Sequence, residues 1–195
     1  MRTFNTRSSH IKLHRRQDGF SLIEVMCSMF ILTIGLVSLL GVFALSMKTT
    51  QTAQQDIIAK QLANEAMESI FTARNTSQVQ WTQIQNVGAG TVPDGIFLAG
   101  LQPINNAGAD GIYGTVDDST AGGQILYPPG SNGLPSTANP MPLTAYQRSI
   151  QISPVVRGGT TLSTLRTLRI TVQYASSQSS TPKTYVLTGF ISQFR

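Results

Sequence analysis

The side chains able to do covalent or acid–base chemistry are few and poorly placed for it. Both histidines, His10 and His14, fall within the first nineteen residues, and the single cysteine, Cys27, sits inside an apolar run. A Ser-His-Asp or Cys-His mechanism needs nucleophile and base together on one folded surface. A histidine zinc site needs its ligands gathered in the same way. Paired-carboxylate catalysis is open by count alone, but Asp94, Asp110, Asp117 and Asp118 lie among glycines and read as turn residues or cation ligands. The pattern predicts no enzyme.

Two groups of carboxylates remain to be explained. The first is the stretch Gly108-Ala109-Asp110-Gly111-Ile112-Tyr113-Gly114-Thr115-Val116-Asp117-Asp118, which gathers three scarce acids within a short Gly-rich span. Glycines let such a loop curl until carboxylates and carbonyls converge, the arrangement Ca²⁺ takes with its six to eight oxygens. It is not an EF-hand, because the alternating acids and terminal Glu are missing. A polar turn with Asp at caps is the other reading. The second is Glu24, the one charge in the apolar run from Phe20 to Leu45. A carboxylate at the centre of a membrane helix costs about 2.5–3.5 kcal/mol, and less near an end.

The elements around these residues give them a context. The chain has 195 residues and a net charge of +5, enough for one domain and an anchor. The charge is uneven: Arg2, Arg7, Lys12, Arg15 and Arg16 stand against Asp18 alone, while the nine basic and eight acidic residues beyond nearly cancel. The apolar run is long enough to cross a bilayer as a helix, and the basic residues before it predict a cytoplasmic N-terminus with the remainder across the membrane. A secretory signal fits poorly, because the run is too long and no Ala-x-Ala follows it. Arg15-Arg16 hints at a twin-arginine signal, but Gln17-Asp18-Gly19-Phe20 does not suit one. A plain anchor leaves Glu24 without a reason.

Gly19-Phe20-Ser21-Leu22-Ile23-Glu24-Val25, behind a basic leader and ahead of a long apolar helix, resembles the cleavage and methylation motif of type IV prepilins and type II secretion pseudopilins. The resemblance is firm over about residues 15–50, softer to about 75, and architectural beyond. It implies that a prepilin peptidase removes residues 1–19 by cutting between Gly19 and Phe20, and methylates the new Phe20 amine. It implies that Glu24 then pairs with the Phe20 amine of a neighbouring subunit in a filament, where an unpaired buried carboxylate would be expensive. Removal of the leader also removes both histidines. The Gly-Ala-Asp-Gly opening of the acidic stretch resembles the calcium loop of major pseudopilins.

The rest of the chain is read against that resemblance. Ala59, Leu62, Ala63, Ala66, Met67 and Ile70 recur at helical spacing, which predicts one long helix with a membrane half (20–47) and a soluble half (48–75) whose apolar face packs on a sheet. Gly35 and Gly41 lie in the membrane half, where local melting and close helix packing are both open. Residues 76–144 are loop-rich, with strand-like fragments at 95–98 and 124–127 and Trp81 packed beneath the loop. Residues 145–195 carry three alternating runs that predict an antiparallel meander: Tyr146–Ser153 with Arg148 misplaced on the apolar face, Leu168–Ala175, and Lys183–Phe194 with a bulge at Gly189. The predicted fold class is α+β and pilin-like.

Arg157, Arg166 and Arg169 form only a weak basic patch and read as solvated strand residues, so no nucleic-acid partner is predicted. The resemblance implies other partners: the prepilin peptidase, other pilin subunits and an inner-membrane assembly platform. No cofactor is predicted beyond a calcium ion at Asp110, Asp117 and Asp118. The expected role is a structural subunit, most like a minor pilin of the PilV kind or a minor pseudopilin. A signal-anchored periplasmic binding module, or a tip adhesin, is the alternative. The expected location is the inner membrane, single-pass, with the C-terminal domain periplasmic.

Overall fold

A computed structural model describes residues 19–89, 95–127, 134–138, 140–176 and 180–194. The basic leader and Asp94 lie outside the described residues. One helix, α1 (Leu22–Asn75), is followed by short strands β1 (Gln102–Pro103), β2 (Ile125–Leu126) and β3 (Met141–Pro142). Three longer strands follow: β4 (Tyr146–Arg157), β5 (Thr160–Tyr174) and β6 (Lys183–Ser192). Residues up to Ser46 and residues from Met47 onward form two separate compact units.

In the first unit every side chain of α1 is exposed. This stretch is apolar and long enough to cross a membrane, so an apolar surrounding has to come from outside the chain. Its hydroxyls are turned inward onto the helix backbone. Ser28 Oγ donates to the Glu24 carbonyl (2.8 Å), Thr33 Oγ1 to Phe30 (2.8 Å) and Ser38 Oγ to Ile34 (2.9 Å), which satisfies each donor without a partner in the solvent.

In the second unit α1 buries one face. Ala59, Leu62, Ala63, Ala66, Met67 and Ile70 are all in the core, joined by Thr52, Ile58 and Ala73. They join one cluster with Ile150, Ile152, Leu168, Ile170, Val172 and Ile191 of the sheet. Burial of apolar surface on both elements holds the helix to the sheet. The helix ends as basic Arg74 donates to the Ser192 carbonyl (3.0 and 2.7 Å), favourable at a helix C-terminus.

The sheet is antiparallel in the order β1-β4-β5-β6, with β2 and β3 forming a separate two-stranded ribbon. The three long strands are the expected meander. Gly158 and Gly159, at φ 58° and 80°, make the two-residue turn between β4 and β5, where both positions need positive φ. The predicted bulge at Gly189 is not there: β5 and β6 pair without a break from Leu165↔Ser192 to Tyr174↔Lys183. The register shift lies instead at Pro154/Val155. Gly189 serves packing, since a Cβ there would stand 3.1 Å from Met67 Cε.

Two further expectations are corrected. Residues 95–98 form no strand; Phe97 makes an isolated bridge to Asn86 and is fully buried. Arg166 is not a solvated strand residue. Its guanidinium stacks 4.5 Å above the Trp81 ring and donates to the Trp81 (2.7 Å) and Ile84 carbonyls. Trp81 in turn donates Nε1–H to the Ser163 carbonyl (2.8 Å), so it is fastened to β5.

Candidate functional site

At the start of α1, Gly19 and Phe20 are exposed and non-helical, and the helix begins at Leu22. The Ser21 carbonyl accepts the N–H groups of Glu24 (3.0 Å) and Val25 (3.2 Å), closing the first turn. The Gly19–Phe20 bond therefore sits in open backbone just outside the helix, where a peptidase can bind it extended. A Cβ at Gly19 would meet nothing within 4 Å, so nothing in the fold asks for glycine there. Glu24 lies in the first helical turn, where a carboxylate is favoured by the helix dipole. It has no ion pair among the described residues, whose one ion pair is Lys183–Asp56 at 3.8 Å. A Cβ at Gly35 or Gly41 also meets nothing within 4 Å.

The acidic stretch folds into the compact loop its glycines predict. Gly111 and Gly114 adopt φ 68° and 89°, and one oxygen from each of Asp110, Asp117 and Asp118 lies within 4.8 Å of the others. Backbone N–H groups hold them there: Gly108 to Asp118 Oδ1 (3.2 Å), Gly114 to Asp118 Oδ2 (2.6 Å), Asp110 to Asp117 Oδ2 (3.2 Å) and Ile112 to Asp110 Oδ1 (2.8 Å). The Thr115 hydroxyl donates to Asp117 Oδ1 (2.6 Å). That bond holds the Asp117 carboxyl below its usual range, while burial pushes Asp118 up against the N–H groups of Gly114 and Gly108. The donor set is all oxygen. A Cβ on Gly108 would collide with the Asp117 carboxylate, so the cradle needs glycine at its rim. The residues fit a hard divalent cation.

Behind this loop lies a network that sequence periodicity did not identify. Arg148 is only 4 % exposed. It stacks 4.6 Å from the Tyr113 ring and donates to the Leu62 carbonyl of α1 (3.2 Å). Burial lowers its pKa, opposed by the charges of Glu65 and Asp118. Tyr113 Oη donates to Glu65 Oε1 (2.5 Å), and Gln124 Nε2 reaches both Glu65 oxygens (3.1 Å each). Burial and the Glu65 bond push the Tyr113 hydroxyl up to about 12. Helix, acidic loop and sheet thus meet at one compensated cation. The only signal in the sequence was an arginine out of phase on an apolar strand face.

A family model described as a prokaryotic N-terminal methylation motif matches residues 14–40. Over those residues the chain is type IV prepilin-like. The match spans Gly19, Phe20, Glu24 and most of the apolar stretch of α1. No curated protein and no solved structure matches the chain. Motifs of this kind belong to a structural family rather than a catalytic one, and the match together with the apolar helix behind it supports a processed, membrane-anchored subunit of pilin or pseudopilin type. Processing by prepilin peptidase and assembly with other pilin-type subunits follow from the same motif.

Proposed function

We propose that this chain is a minor subunit of a type IV pilus or a type II secretion pseudopilus. Prepilin peptidase cuts it between Gly19 and Phe20 and methylates the Phe20 amine. Until assembly, α1 anchors it in the inner membrane with the sheet domain in the periplasm. The observation that carries this reading is the methylation motif over residues 14–40. An exposed, non-helical Gly19–Phe20 bond beside the helix start supports it. In the filament, the Glu24 carboxylate takes the Phe20 amine of a neighbour as its counter-charge and so fixes the axial register between subunits.

Asp110, Asp117 and Asp118 would hold a calcium ion in the same proposal. The ion would offset three clustered carboxylates and stiffen a loop that touches α1 through Arg148 and Tyr113. Thermal unfolding of the full chain in detergent tests this: calcium raises the midpoint relative to chelator, and Asp117→Asn removes the difference. An unchanged midpoint leaves the loop a polar turn closed by its own N–H groups.

Intact mass and N-terminal sequencing of protein from cells with their own prepilin peptidase test the main reading. The expected product begins at N-methylated Phe20 and disappears in a peptidase-null strain. A chain that keeps residues 1–19 overturns it in favour of an anchored periplasmic binding module, and a chain cut beyond residue 45, which has lost its anchor, overturns it as well.

A further inference from the structure

The two edges of the sheet are treated differently. An open strand edge invites another strand to pair with it, and folded proteins usually block such edges. The outer edge of β4 is blocked along most of its length. β1 pairs at Gln147 and Arg148. Next to it, Asn86 imitates a strand: its Nδ2 donates to the Ile150 carbonyl (2.7 Å) and its Oδ1 accepts from Ile152 N–H (2.8 Å). The next outward position is Pro154, which has no N–H to offer.

β6 has none of these devices over its length. Gln193 N–H points to β5, donating to the Thr164 carbonyl (2.8 Å), and the Ser192 carbonyl points away from β5 to Arg74. Backbone direction alternates along a strand and the register is unbroken. The N–H and C=O groups of Thr184, Val186, Thr188 and Phe190 therefore face outward. Among the described residues β6 pairs only with β5, and Arg74 covers only its last turn outward, at Ser192 and Phe194. Lys183 is the one charge in β6. Val186 and Phe190 are 40 % and 61 % exposed on the face away from the core.

We propose that β6 is a strand-addition site for an extended segment of a different polypeptide. A second copy of this chain is a poor occupant. Lys183 lies near Asp56, Gly189 near Met67 and Ser192 near Arg74, so β6 runs in the same direction as α1. A second β6 carries Lys183 and no acidic residue, so it would bring no counter-charge for the lysines beside this edge. The occupant's chemistry follows from the edge and its flank. Open groups on Thr184 to Phe190 call for a segment of about four to seven extended residues, β-branched and uncharged in the middle. Beside the strand a groove of about 480 Å³ between α1 and β6 is lined by Ile57, Lys60, Lys183 and Tyr185. Asp56 there is already engaged by Lys183 and the Tyr174 hydroxyl. The segment therefore carries an acidic residue at the end that lies beside Lys60.

The test is binding of a fluorescent Thr-Val-Thr-Val-Thr-Val-Asp peptide, whose acidic end lies beside Lys60 when it adds antiparallel to β6, to the full-length chain in detergent, followed by anisotropy. Saturable binding is expected, at least tenfold weaker for Thr188→Pro, which removes an outward N–H but none directed to β5. Val186→Lys, a charge on the edge that keeps all backbone pairing, gives the same loss and carries the test if the proline variant does not fold. A peptide N-methylated at every central amide should not bind, and replacing its Asp by Lys should weaken binding several-fold. Equal binding of the methylated peptide, or wild-type affinity in both variants, overturns the proposal. So does the absence of peptide binding, including the case of a concentration-dependent dimer abolished by Val186→Lys. N-terminal analysis of Phe20 tests the pilin-type reading separately, so the two can fail independently.

Discussion

Arg148 is where a single residue ties the domain together. It is buried against Tyr113 and the Leu62 carbonyl, with Glu65 and Asp118 as its counter-charges. Arg148→Met keeps volume but leaves those carboxylates without their cation. The expected loss is about 1–3 kcal/mol, from the charged hydrogen bond to the buried Leu62 carbonyl and the cation–π stack on Tyr113, measured by denaturant unfolding. Arg148→Lys keeps charge but loses the planar stack, and should fall between the two. Tyr113 gives a pH signature. Its folded pKa of about 12 lies above the ordinary 10.0, so its stabilising contribution is complete below pH 10.0 and is lost as pH rises through about 12. Tyr113→Phe should lessen the alkaline loss of stability. It should not abolish it, because the Tyr174 and Tyr146 hydroxyls are raised as well. None of this network is written in periodicity. Its members are separated by up to 86 positions in the chain (Leu62 to Arg148), and only the misplaced arginine marked it.

Elements were more legible than the residues between them. The buried face of α1 follows from its three- and four-residue spacing, and the β4–β5–β6 meander from alternation. Those patterns carry the side-chain periods of helix and strand directly. The loop region was opaque because its order comes from single long-range bonds, such as Asn86 to Ile150 and Ile152, which leave no period. Asn86→Leu should cost about 1–3 kcal/mol, because it strands a buried N–H and a C=O, and it should loosen the β4 edge in hydrogen exchange. Gly189 was misread for a related reason: glycine in a strand signals either a bulge or a close approach, and only the position of Met67 decides between them. Gly189→Val should destabilise by about 1–3 kcal/mol through overpacking against α1. Gly189→Ala should cost less, since the nearest atom ends a flexible side chain.

At the scale of the whole molecule, the chain joins a helix half exposed along its length to a domain with its own core. In the proposed filament Glu24 is the single charge that must find a partner. Glu24→Gln should leave cleavage at Gly19 intact and the protein in the membrane fraction, while its recovery in sheared filaments falls at least tenfold. The motif that identifies this half could be read from seven residues, because peptidase recognition is local. The far end of the molecule has no such code. The inward-turned hydroxyls of Ser28, Thr33 and Ser38 bear on what happens between membrane and filament. A helix whose polar atoms are already spoken for gives up no solvation when lipid tails are exchanged for neighbouring helices. In the proposed assembly, extraction and return then differ little in free energy along most of its length, and a subunit would be drawn out of the bilayer and let back again with one carboxylate as its latch.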